Sequence, residues 1–189
     1  MPRRRRFSAE AAEVGGLSGA VARGAQVAGF AFAGWLALSI ELAPGLGATP
    51  DLLFCVAAFW AIRRPRSAPA AAILALGLAR DLLDGGPVGA GALGLLAATE
   101  LLRAQGATLR RRSLLVEGVH VAAAATIAAG LPWLLVGLTL ADTPLVADVA
   151  RRIGLTAVGW LATVFALRGL LRLRSDVTPA DGDQMFGKR

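Results

Sequence analysis

The sequence predicts an all-α, polytopic membrane protein with six transmembrane helices, and three observations lead there. Of 189 residues 56% are hydrophobic and only 17% charged, too little polar surface to cover a soluble domain of this length. The apolar residues gather in six blocks, roughly 24–42, 46–62, 67–83, 87–102, 114–140 and 152–171. A helix needs about 20 such residues to cross about 30 Å of hydrocarbon, and several blocks are at or below that length. The basic residues alternate between the blocks. Seventeen of the 20 Lys and Arg fall in the N-terminal tail, the second and fourth connections and the C-terminal end. Only Arg151 and Arg152 lie on the opposite side, which places both termini in the cytoplasm.

Taken in order, residues 1–22 read as a disordered basic cytoplasmic tail beginning "MPRRRRFSAE". Its arginines resemble an export signal, but the first apolar block lies well beyond them and more blocks follow, so an uncleaved first span is expected. The second block contains "PDLLFCVAAFW" between Pro50 and Arg63 and predicts a short helix. The third and fourth are separated by "DGGP". Gly85 or Gly86 is expected in the left-handed conformation, with Pro87 starting the next helix. The fifth block is long, Ser113 to Leu140, and Pro132 is expected to kink it. Residues 23–174 thus form the transmembrane domain, and 175–189 a second disordered cytoplasmic tail.

The net charge of +7 does not imply a nucleic-acid partner, because the arginines punctuate apolar blocks and no folded basic domain remains to use them. The single cysteine, Cys55, sits in an apolar run and reads as a small buried hydrophobe. Trp35, Trp60, Trp133 and Trp160 fall mostly near span ends, as an interfacial belt would, with Trp35 and Trp160 deeper. Small-residue runs such as "GAGALG" and "AAAATIAAG" suit close helix contact in lipid.

Few groups are placed for chemistry. Phosphate loops, nucleophile elbows and metal-ligand spacings are absent from the sequence, so no enzyme activity, cofactor or metal is expected. Glu117 and His120 share a helix face; a proton relay is conceivable, and a hydrogen bond to a neighbouring helix is the simpler reading. Glu100 and Arg103 are expected to pair, as are Asp148 and Arg152 at i,i+4. Glu41 and Asp51 are expected at the outer boundary, in reach of water. In "LARDLLDGGPVGAG" (Leu78–Gly91), Arg80 and Asp84 can neutralise one another at i,i+4. Asp81 is left over about one turn inside the span, where a charge normally faces the bundle interior with a partner.

The stretches "PDLLFCVAAFWAIRRP" (Pro50–Pro65) and "LGLARDLLDGGPVGAGAL" (Leu76–Leu93), in that order and spacing, resemble the core of the rod-shape-determining protein MreD family. The matching residues are Pro50, the Phe59–Trp60 pair, Pro65, Asp81, Gly85–Gly86 and Gly89; Phe59 stands where a tyrosine is common. The resemblance implies a non-enzymatic scaffold of the bacterial cell-elongation (rod) complex in the inner membrane, supporting cell shape and lateral peptidoglycan synthesis. It implies an MreC-like bitopic partner and, through it, the MreB filament, RodA and the elongation transpeptidase. It also implies a fold similar to the six-helix substrate-binding subunits of energy-coupling-factor transporters. On this reading Pro50, Trp60, Pro65, Asp81 and Gly89 have structural or partner-binding roles. A small transporter, or its substrate-binding subunit using Asp81 in an outer pocket, is the alternative.

Overall fold

The computed structural model describes residues 3–43, 49–85, 87–138 and 145–171, with side chains from Ala20 onward except those of residues 168, 170 and 171. Six α-helices follow one another: α1 (Arg3–Glu41), α2 (Leu52–Arg63), α3 (Ala70–Asp84), α4 (Ala90–Leu109), α5 (Leu114–Leu138) and α6 (Val146–Leu171). Each corresponds to one apolar block. A 3-10 turn, Pro65–Ser67, joins α2 to α3. The helix of α1 already begins at Arg3, so residues 3–22 are helical where a disordered tail was expected. The expected C-terminal tail, 175–189, lies outside the described residues.

Among the described residues three helical segments are long and apolar enough to cross a membrane: Ala20–Glu41, Leu114–Leu138 and Val146–Leu167. The exterior agrees with that composition. Phe32 on α1 and Phe165 on α6 are 70% and 66% exposed, and Leu115, Leu138 and Val158 are likewise turned outward. An apolar outer surface of this kind calls for lipid or a protein partner.

The helix at the centre is the shortest of the six. α2 has 12 residues, about 18 Å at 1.5 Å per residue, and every residue from Leu53 to Ile62 is buried. It packs against α1, α4 and α6, while α3 contacts α1 and α4, and α5 contacts α4 and α6. Leu53, Phe54, Phe59 and Ile62 therefore form the core together with Phe30 of α1, Leu95 and Leu102 of α4, and Trp160 of α6. Trp60 lies within this core rather than in a belt, its ring 5.4 Å from Phe59 and 5.9 Å from Phe30. Cys55 is fully buried, as a small hydrophobe would be, with its Sγ 3.6 Å from the Thr156 carbonyl.

The small residues of α4 set its distance from its neighbours. A Cβ at Gly94 would lie 2.6 Å from the Ala128 carbonyl and 2.9 Å from Cδ of Pro132. Only glycine allows α5 to carry Pro132 inside its helix against this face. Between α3 and α4 the backbone turns at Gly85 (φ 69°), which ends α3, and at Gly89 (φ 99°), which precedes α4. Gly85 thus takes the expected left-handed conformation. Pro87 does not start the next helix, which begins at Ala90.

Candidate functional site

A helix leaves its first N–H groups and last C=O groups without partners. For a helix as short and buried as α2, those groups are met by side chains at both ends, its own N-cap residue and residues of other helices. Among the described residues, the buried charged side chains gather at these two ends and at the start of α4.

At the Leu52 end, Asp51 is the hub. Its Oδ1 accepts the Phe54 N–H at 2.8 Å, the bond of an N-cap aspartate. Its Oδ2 accepts from Arg80 Nη1 of α3 at 2.9 Å and lies 3.6 Å from Arg152 Nη2 of α6. The Asp51 N–H donates to Thr156 Oγ1 at 2.9 Å, and Thr156 Oγ1 donates to the Arg152 carbonyl at 2.8 Å. Glu41, the last residue of α1, accepts the Leu53 N–H at 2.7 Å. One carboxylate thus ties α2 to α3 and α6, and a second ties it to α1.

Asp81, the neighbour of Arg80, caps a different helix. Its Oδ2 accepts the N–H groups of Gly89 and Ala92 at 2.9 and 3.0 Å, at the start of α4. A Cβ at Gly91 would overlap Asp81 Oδ1 and approach Arg80 Nη2 to 3.0 Å. Glycine at 91 is therefore what lets the carboxylate reach over the end of α4. Gly89, with its positive φ, presents the N–H that Asp81 accepts.

The Arg63 end uses the opposite chemistry. Arg110 Nη1 donates to the Ile62 carbonyl at 2.8 Å. Arg103 donates to the carbonyls of Pro65 and Ala68, at 3.3 and 2.6 Å. Arg63 makes a two-pronged ion pair with Glu117 of α5, Nη1 on Oε1 and Nη2 on Oε2, and its guanidinium carbon lies 4.9 Å from the Phe59 ring centre. Phe59, where the resemblance has tyrosine, supplies a face to a cation instead of a hydroxyl.

Several pairings expected from spacing along one helix are replaced by pairings between helices. Arg80 binds Asp51, 29 residues earlier, and not Asp84. Asp148 pairs with Arg151 at 3.1 Å, leaving Arg152 to Asp51. Glu117 bonds Arg63, while Nδ1 of His120 lies 2.8 Å from the Val116 carbonyl of its own helix; the two form no pair. Asp51 is buried rather than held at a wetted boundary. Glu100 does pair with Arg103, at 3.3 Å. Of the five residues singled out, Pro50, Asp81 and Gly89 lie at the Leu52 end, Pro50 packing against Gly159 of α6. Trp60 and Pro65 lie toward the Arg63 end. They do not form one site. Asp51, Arg152 and Thr156 were missed as a group. The only local signal among them was an aspartate directly before an apolar helix, the pattern of an N-cap.

Beside the Asp51 hub, α3, α4, α5 and α6 enclose a cavity of about 300 Å³. Arg80, Asp81 and Arg152 lie on one side of it, and Ala129, Pro132 and Trp133 of α5 on another.

Comparison with protein-family models, with curated proteins and with solved structures returns no match.

Proposed function

We propose that the chain is a non-enzymatic scaffold of the bacterial rod complex, in the manner of MreD, that binds an MreC-like bitopic partner in the inner membrane. All six helices would cross, the bilayer thinning around the shorter ones, with both termini in the cytoplasm and the Asp51 end outward. The observation that carries this reading is how the buried charges are used. Asp51, Asp81, Arg63, Arg103 and Arg110 each bind the backbone end of a helix or a countercharge on another helix. Groups committed in this way hold a shape; they are not set against a reacting substrate. The excess of arginines on the tail side supports the orientation, and the Pro50–Leu93 pattern supports the partner. MreB, RodA and the elongation transpeptidase would be reached through the MreC-like protein.

The cavity beside Asp51 favours the second reading, a small transporter or its substrate-binding subunit, since ligand sites are concave with a few convergent polar groups. Co-purification of the tagged full chain from its native cells, followed by mass spectrometry, separates the two. Recovery of an MreC-like protein with cell-wall synthases is expected. Recovery of an ATPase with its coupling subunit, and no MreC-like protein, would overturn the scaffold reading.

A further inference from the structure

We propose that the cavity between α3, α4, α5 and α6 binds a phosphoethanolamine group, phosphate inward and ammonium at the rim, carried by a membrane phospholipid or by its free headgroup. The inference does not depend on which partners the scaffold has.

The arrangement of charge selects the ligand. Arg80 is 7% exposed yet lines the cavity. Its Nη1 is committed to Asp51, whereas its Nη2 has no hydrogen bond among the described residues. Arg152, also lining the cavity, shares the same Asp51 carboxylate at 3.6 Å. Two guanidiniums thus share Asp51, with the Glu41 carboxylate also close to both but engaged by the Leu53 amide, and Asp81 is taken up by the amides of Gly89 and Ala92. Unused N–H donors on a buried guanidinium suit the oxygens of a phosphate.

The rim has the opposite sign. Asp84 and Asp148 both line the cavity and both are exposed. Asp148 is shared with Arg151, while Asp84 has no ion pair among the described residues. A simple anion entering would pass these carboxylates, and a simple cation would end against Arg80. A zwitterion satisfies both ends at once.

Size and surroundings favour a headgroup. About 300 Å³ is at the small end of ligand pockets, enough for a phosphoethanolamine and part of a glycerol but not for acyl chains. Ala129, Pro132 and Trp133 offer the glycerol an apolar wall. Leu83, Val88 and Leu138, each more than half exposed, flank the lining residues Asp84, Pro87 and Val136 in the chain and continue that apolar surface outward.

The test uses the purified full chain in non-ionic detergent, with native mass spectrometry and thermal unfolding as readouts. The probes are phosphatidylethanolamine, phosphatidylglycerol and soluble glycerophosphoethanolamine. Phosphatidylethanolamine should bind about tenfold more tightly than phosphatidylglycerol, the value of one charge-assisted contact to the ammonium. Asp84→Asn, at an exposed position, should erase that preference without changing the unliganded melting temperature. Ala129→Phe, which fills the cavity, should abolish binding of the preferred lipid. A response to glycerophosphoethanolamine equal to the lipid's would assign the site to the free headgroup, and a response to the lipid alone to the membrane. Equal affinity of the wild type for the two lipids, or an Asp84→Asn chain that keeps the preference, would overturn the proposal.

Discussion

The two ends of α2 solve one problem with opposite charges. At the Leu52 end, carboxylates of Asp51 and Glu41 accept the free N–H groups. At the other, the Arg110 guanidinium donates to the Ile62 carbonyl of α2, and that of Arg103 to the Pro65 and Ala68 carbonyls, in and just after the 3-10 turn that follows. Both follow the helix dipole, positive at its start and negative at its end. The ends differ in how the charges are balanced. Arg63 and Glu117 form a closed two-pronged pair, one cation to one anion. Asp51 faces two cations across a network drawn from α2, α3 and α6, and a cavity opens beside it. The closed pair reads as pure fastening, while the shared one leaves donors to spare.

That contrast orders the expected effects of mutation. The largest is at Asp51, because Asp51→Ala removes a helix cap and leaves Arg80 buried without its countercharge. A loss of about 3–5 kcal/mol is expected, read as a large drop in melting temperature in detergent. A melting temperature unchanged by the substitution would dissolve the hub.

At the other end, Glu117→Leu alone should cost about 3 kcal/mol by stranding Arg63. Combining it with Arg63→Met should restore most of that loss, since a closed pair can be replaced by apolar packing. The same rescue should fail for Asp51→Ala with Arg80→Met, because the Phe54 N–H would still lack its cap. If both double variants recover equally, the two ends do not differ as described.

A smaller effect is expected at Asp81→Ala, about 1–2 kcal/mol for a lost cap on α4, with amide exchange increasing at Gly89 and Ala92 first. The smallest is Glu100→Gln, whose pair with Arg103 is nearly half exposed on the glutamate side. Less than about 0.5 kcal/mol is expected. A larger loss would mean that Glu100 helps to aim Arg103 at the 3-10 turn.

How far the site was legible follows from how far its contacts reach along the chain. The Glu100–Arg103 pair could be read because it lies on one helix face three residues apart. The same rule misdirected Arg80 toward Asp84 and Arg152 toward Asp148, since each had a nearer carboxylate in sequence than in space. Asp81 was recognised as a charge needing a partner inside the bundle, but its partners are backbone amides, which carry no signature in side-chain identity. Trp60 read as a belt residue because it stands near the end of a block; burial of α2 on every side put it in the core.

The sequence by itself determined six helices, their order, and an apolar exterior, because block length and composition decide which segments must hide their backbone polar groups in helices. Gly85, between two apolar blocks, marked the end of α3 in the same way. Only the tertiary structure decided that the shortest helix lies at the centre and that Asp51, Arg80 and Arg152 meet at its start. Local periodicity specifies which face of a helix is apolar. Which helix that face meets, and so which charges find one another, depends on packing between segments up to 105 residues apart, as between Asp51 and Thr156.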